Sequence, residues 1–211
     1  MKVIGFNGSA RKDGNTAVLI QRVFDELAAE GIETRLVNLG PNSVNGCIAC
    51  MKCHKNKDGH CVQTKDPLNG WLDEMKTADG IILGTPVYFA DISGQIKCFM
   101  DRTAMVARAN GNMFKRKVGA GVVAVRRAGA LTAFHSLNAY FTIAEMMVVG
   151  STYWNMGYGR EKGEAQQDGE GLQTMANLGK NMAWLLKCIE ASKGSVEIPE
   201  TDIGVVTSFI R

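Results

Sequence analysis

Residues 46–62 read GCIACMKCHKNKDGHCV and gather four of the chain's six cysteines, Cys47, Cys50, Cys53 and Cys61, into one polar stretch. Thiols grouped this way have three chemical uses: metal ligands, redox-active groups, or small buried side chains. Four thiolates close a tetrahedral zinc site, and four also supply one ligand per iron in a cubane cluster. Zinc motifs usually come as two separated pairs, whereas the spacing here is a triplet, Cys47-x-x-Cys50-x-x-Cys53, plus one. His54 and His60 lie inside the segment and would complete a mixed zinc site. A loop that keeps its thiols and holds no metal is the third possibility. Cys98, in the run IKCFM, and Cys188, in LLKCI, read as buried helix residues.

A second concentration of chemistry follows the first apolar run. Asn7-Gly8-Ser9-Ala10-Arg11-Lys12-Asp13-Gly14-Asn15-Thr16 leads into a helical pattern. A Gly/Ser/Thr loop at a helix N-terminus presents unpaired N–H groups and the positive end of the helix, which together favour a phosphate. The hydroxyls of Ser9 and Thr16, the Asn15 amide and the Arg11 guanidinium would add donors. An ordinary capped turn is the plainer reading of the same residues. The loop lacks G-x-x-x-x-G-K-[ST], and the spacing of Gly5 and Gly8 does not make G-x-G-x-x-G. The second strand ends at Asn38-Leu39 without the acidic residue that would hold an NAD ribose. A mononucleotide fits this loop better than a dinucleotide.

Two further loops carry polar or aromatic side chains: Gly84-Thr85-Pro86-Val87-Tyr88-Phe89-Ala90-Asp91 and Val125-Arg126-Arg127-Ala128-Gly129-Ala130. Thr-Pro before the aromatics favours a turn over a continuing strand. The paired arginines would neutralise a reduced, anionic flavin ring or a phosphate on a second substrate.

The elements that must position these loops follow from the hydrophobic pattern. Short apolar runs predict strands at 2–6, 33–38, 79–84, 117–125 and 146–150, all rich enough in Val and Ile to be buried on both faces. Helical periodicity predicts helices at 15–30, 67–78, 93–107, 130–145 and 170–192. Alternating strands and helices imply a parallel sheet. For a sheet of order 2-1-3-4-5, ligands sit outside the carboxyl ends of strands one and three, where strand order reverses. The phosphate loop and the aromatic loop would then lie side by side, the geometry a flavin mononucleotide needs. Two stretches break the rhythm: the cysteine segment and a glycine-rich loop at 151–169 with three aromatics, a length usually reserved for function.

With 211 residues and 45% hydrophobic content, the chain buries a full core. A net charge of only +3, dispersed along the chain, gives no case for nucleic acid. The N-terminus MKVIGFNGSA breaks its apolar run too early for a signal peptide, and no run approaches membrane-spanning length. The expectation is therefore a cytoplasmic protein with no membrane partner, in a compartment where clustered thiols mean metal or redox chemistry.

These pieces together resemble the flavodoxin-like NADPH-dependent FMN reductase family, and within it the iron-sulfur flavoprotein branch. The resemblance rests on Gly8-Ser9-x-Arg11-x-x-Gly14-Asn15-Thr16, Thr85-Pro86-Val87-Tyr88-Phe89, Arg126-Arg127-Ala128-Gly129-Ala130 and Gly150-Ser151-Thr152-Tyr153-Trp154-Asn155, and runs to about residue 190. It implies a flavodoxin-like α/β three-layer sandwich, a five-stranded parallel sheet of order 2-1-3-4-5, over residues 1–194 with a cysteine-rich loop at 46–62. Residues 195–211 would be a C-terminal extension that serves as an interface segment. It implies FMN, with Ser9, Arg11, Asn15 and Thr16 on the phosphate and Pro86, Val87, Tyr88 and Phe89 along the ring. Arg126, Arg127 and Gly129 would border the ring or the nicotinamide approach. The branch binds a 4Fe-4S cluster through a motif of the form Cys47, Cys50, Cys53 and Cys61; Val62 in place of Pro argues against a ferredoxin insert. The implied chemistry is electron transfer between NAD(P)H or ferredoxin and an acceptor, in a homodimer or homotetramer with interface contacts from 151–169 and the tail. Other readings are a metal-free NAD(P)H-dependent FMN or quinone reductase, a pure electron carrier, and a non-enzymatic flavin protein with structural zinc.

Overall fold

The computed structural model describes residues 1–42, 44–207 and 209. The strands are β1 (Lys2–Asn7), β2 (Glu33–Asn38), β3 (Gly80–Pro86), β4 (Val118–Val125), β5 (Met147–Val148) and β6 (Met156–Tyr158). The helices are α1 (Asn15–Ala29), α2 (Lys52–Asn56), α3 (Leu68–Thr77), α4 (Gly94–Ala109), α5 (Ala130–Ile143) and α6 (Gly169–Ser192). All strands pair in parallel, in the order β2-β1-β3-β4-β5, and β6 pairs with β4 off this path.

Successive side chains of a strand point to opposite faces, and the core divides accordingly. Val3, Ile82, Val118 and Val122 pack against Leu19, Val23 and Leu27 of α1 and Leu178, Met182 and Leu186 of α6. Ile4, Phe6, Ile81, Leu83, Val123 and Val125 face the other way, onto Leu72 of α3, Phe99 of α4 and Leu137 of α5. Each of these fully covered side chains contributes roughly 1.5–3 kcal/mol through burial alone. The result is a flavodoxin-like three-layer sandwich with helices on both faces of the sheet.

Three expectations need correction. Strand β2 is half exposed and both residues of β5 are exposed, because they form the sheet's edges; burial on both faces holds for the inner strands β1, β3 and β4. The 151–169 stretch contains a sixth strand, β6, whose Met156, Gly157 and Tyr158 pair with Val123, Ala124 and Val125. The cysteine segment contains the short helix α2, bounded by left-handed residues Met51 and Lys57 at φ 55° and 52°.

Pro199 and Thr201 of the tail touch the body of the fold through Arg116 and Glu145. Ile198, Ile203, Val205, Val206 and Phe209 are exposed there. Ser208 and Ile210, part of the apolar tail patch in the sequence, lie outside the described residues.

Candidate functional site

The loop after β1 is built by its own buried polar groups. Asn7 is fully buried; its side-chain N–H donates to Asn38 Oδ1 at 2.8 Å and its Oδ1 accepts the Ser9 N–H at 3.0 Å. The Ser9 hydroxyl in turn accepts the Arg11 N–H at 3.1 Å. Gly8 donates to the Gly84 carbonyl at 2.8 Å, and Ser93 Oγ donates to the Gly8 carbonyl at 2.6 Å, so the loops after β1 and β3 are tied together. A Cβ on Gly8 would stand 2.6 Å from Ile96 Cβ, which is why glycine occupies this crossing.

At the start of α1 no side chain caps the helix, and its first turn holds no acidic residue. Among the described residues its leading N–H groups and positive end are met by no side-chain cap. Beside them opens a cleft of about 220 Å³ at the carboxyl ends of β1, β3 and β4. Ser9, Arg11, Asn15, Thr16, Pro86, Val87, Tyr88 and Arg126 all line it. Three arginines and no carboxylate stand on its walls. A larger hollow of about 530 Å³, between α1 and β2, is lined by both signs of charge, Arg22 and Asp25 among them, and reaches the end of β2 at Asn38 but not the ends of β3 and β4. Position at the switch point, not volume, selects the smaller cleft.

Other expected site residues stand apart. Phe89 is fully exposed at the tip of the turn Tyr88-Phe89-Ala90-Asp91, where Tyr88 and Asp91 exchange backbone hydrogen bonds of 2.9 and 3.3 Å. Phe89 and Ala90 hold φ of 44° and 77°, left-handed values that a hairpin turn normally gives to Asn and Gly. Arg127 is exposed. Gly129, at φ 91°, lies against Val87 Cγ1 behind the wall.

Asn15 lines the cleft, but its side chain is turned to the 159–165 segment. Its N–H donates to the Glu161 carbonyl at 2.9 Å, and its Oδ1 accepts the Ala165 N–H at 3.1 Å. Gly159 and Arg160 thereby join the cleft wall. A Cβ on Gly159 would stand 2.6 Å from Asn15 Nδ2. Glu164 braces the same segment by accepting N–H groups of Glu161 at 2.8 Å and Arg160 at 2.6 Å; these bonds hold its carboxyl below the ordinary value. Gly14, Ala124, Gly159 and Arg160 also line the cleft and are not among the expected site residues. The glycine-rich composition of 151–169 was the available signal, and it pointed to an interface rather than to this cleft.

The four clustered cysteines line one cavity on α4, floored by Arg102, Met105 and Val106. Reciprocal bonds between Asn69 and the backbone of Cys61, both 2.8 Å, pin the segment to α3. Asn110 Oδ1 accepts the Gly59 N–H at 2.9 Å and pins it to the end of α4. Cys47 and Cys50 are exposed, Cys53 and Cys61 half-buried. Burial pushes the Cys53 thiol up; the backbone N–H groups of His54 and Cys53 oppose this, and neighbouring Cys50 and Cys47 add to it. An adjacent cation or metal is what would hold such a thiol as thiolate. Among the described residues, no three His, Cys, Asp or Glu side chains close around a single ion position. His60 is bonded to Asp73 at 3.0 Å. Of the two cysteines expected to be buried, Cys98 is half-buried against the core and Cys188 is exposed.

The fold and the cleft together define a flavodoxin-like α/β protein with an arginine-lined cleft at its topological switch point. The chain matches the family model of the NADPH-dependent FMN reductases over residues 1–161, and it belongs to that family. It is 40% identical over 198 residues to an iron-sulfur flavoprotein of Methanocaldococcus jannaschii, a match covering 90% of this chain and 100% of that one. Among solved structures it resembles RosB with a bound 8-demethyl-8-formylriboflavin-5'-phosphate intermediate, with a TM-score of 0.73 and 16% identity over 100% of this chain and 94% of that one. An archaeal flavodoxin superposes with a TM-score of 0.58 and 17% identity over 89% and 99%. Both structural likenesses concern the fold alone. No helix among the described residues is long and apolar enough to cross a membrane.

Proposed function

We propose that the protein is an FMN-dependent oxidoreductase that relays electrons between NAD(P)H or ferredoxin and an acceptor, through FMN in the switch-point cleft and a 4Fe-4S cluster on Cys47, Cys50, Cys53 and Cys61. The observation that carries the reading is the cleft itself: an uncapped helix start, buried Ser9 and Thr16, and three arginines without a carboxylate. The N–H groups of the first turn of α1, with Ser9, Thr16 and Arg11, would take the phosphate. Pro86, Val87 and Tyr88 would flank the ring. Arg126 would set positive charge where the reduced ring is anionic. Bound FMN supplies hydride acceptance from a nicotinamide and single-electron exchange, so no side-chain acid or base is assigned.

The type and number of the donors match the cluster. One thiolate per iron asks for four thiols around a common space, and these four rim one cavity. Zinc asks for convergence at about 2.3 Å from each sulfur, a tighter arrangement. A relative named an iron-sulfur flavoprotein supports the same choice. Association into a homodimer or homotetramer is supported by exposed Ile143, Met147, Tyr153 and Trp154.

A metal-free NAD(P)H-dependent FMN or quinone reductase is the second reading. It is favoured by the size of the thiol cavity, about 20 Å³, which is room for about one water. Anaerobic purification followed by flavin, iron, sulfide and zinc analysis tests both. One FMN with about four iron and four sulfide per chain is expected. Flavin without metal would select the second reading, and zinc in place of iron a structural site. Protein that binds no FMN refutes the proposal.

A further inference from the structure

The Arg102 side chain, in the middle of α4, is buried beneath the cysteine segment. One terminal nitrogen of its guanidinium donates to Asp66 Oδ2 and, at 3.4 Å, to the Asn45 carbonyl. The other donates to the Gln63 carbonyl at 2.9 Å. These bonds tie down both flanks of the segment that carries the four thiols. Both terminal nitrogens are thus engaged, whereas Nε is buried and has no hydrogen-bond partner among the described residues.

A buried N–H without a partner costs roughly 1–3 kcal/mol, and more on a charged group. A tether alone needs only the terminal nitrogens, so the tether does not account for Nε. Arg102 lines the thiol cavity, and Cys61 is the thiol beside its guanidinium. Asp66, only 6% exposed, balances the charge through its ion pair with a terminal nitrogen of the guanidinium.

We propose that Arg102 is a tuning residue for the iron-sulfur site: its Nε–H donates to the Cys61 sulfur when the four thiolates hold their cluster, and its charge raises the cluster's reduction potential. The inference rests on the reading of these cysteines as cluster ligands. One electron taken up by the cluster adds one negative charge to a group already carrying four thiolates. A neighbouring N–H and cation stabilise that form over the oxidised one. Asp66 acts in the opposite direction. Arg102 positions and polarises; it does not exchange electrons.

The test uses the full chain, reconstituted anaerobically with ferrous iron and sulfide. Iron and sulfide content is measured first, then the cluster midpoint potential by dithionite titration followed by electron paramagnetic resonance. Arg102→Gln is expected to shift the one-electron equilibrium at least tenfold toward the oxidised form, about 59 mV. Asp66→Asn is expected to shift it toward the reduced form. Arg102→Lys, which keeps the charge without the Nε donor, should fall between wild type and Arg102→Gln. A residue that merely holds the loop gives no such opposite signs. Equal potentials in all four proteins at equal iron content would overturn the inference and leave the cluster reading intact. A wild-type protein that takes up no iron and sulfide would overturn the cluster reading, and the inference with it. If Arg102→Gln does not fold, Asp66→Asn and Arg102→Lys decide by the sign and order of their shifts.

Discussion

Replacing Asn15 by alanine separates two roles that its position permits. In the structure its side chain makes two hydrogen bonds, both to the 159–165 segment: to the Glu161 carbonyl at 2.9 Å and from the Ala165 N–H at 3.1 Å. Each is worth about 0.5–1.5 kcal/mol net, so their joint loss is roughly 1–3 kcal/mol. Alanine is a good residue at the start of a helix, so α1 itself should survive the change. If the segment must be ordered for FMN to bind, the lost energy appears in the cofactor's dissociation constant as a rise of about 5- to 150-fold. Partial exposure of both bonds places the expected value in the lower half of that range. Flavin fluorescence quenching on the apoprotein measures the constant, and amide hydrogen exchange reports on residues 159–165. Weaker binding together with faster exchange is the expected pair of results. Weaker binding with unchanged exchange would refute the argument, because Asn15 would then act directly on the phosphate. Faster exchange with unchanged affinity would also refute it, because Gly159 and Arg160 would then not belong to the working site.

Gly8→Ala should lower stability by about 1–3 kcal/mol, since its Cβ would press within 2.6 Å of Ile96 Cβ, and the loss should be visible as a drop in melting temperature. Glu164 gives a pH dependence whose sign follows from its lowered carboxyl: the charged form is favoured in the folded segment, so its contribution is present above the ordinary value of 4.5 and is lost as pH falls through the lower folded value. FMN affinity should therefore weaken on acidification below about pH 4.5, and Glu164→Gln should flatten that part of the profile; an identical acid limb in the variant would exclude this brace. Ala90→Gly removes a side chain held at φ 77° and should stabilise the protein by up to about 1 kcal/mol, measured by urea unfolding; a loss of stability would show that the turn is not strained.

The long elements could be read from the sequence because each carries a complete period. The helix expected at 15–30 is found at Asn15–Ala29, and the strand expected at 33–38 at Glu33–Asn38, as the apolar spacing requires. Strand β6 carries no such signal. Its three residues are a strand because the end of β4 offers them an open edge, a fact of topology rather than of propensity. Cys188 shows the limit of reading composition without phase. It sits among leucines, yet the buried stripe of α6 runs through Met182, Ala183 and Leu186, and a residue two positions beyond Leu186 lies about 200° around the helix.

The two sites differ in how far residue type alone could reach. Serine, threonine and arginine at a helix start suggest an anion loop by type alone, because their donors serve wherever the side chains point, and eight of the expected residues do meet in one cleft. Asn15 was named for its amide, but the direction of that amide depends on a segment about 145 residues away. The thiols were conspicuous because cysteine is rarely used in groups, whereas Arg102 was hidden within an ordinary amphipathic helix. Its side chain becomes informative only when the segments flanking the cysteines close over it and, among the described residues, give partners to both terminal nitrogens but not to Nε. An unspent donor at the floor of a thiol cavity is a three-dimensional signal, and it binds the electrostatics of α4 to the chemistry of a loop some 50 residues earlier.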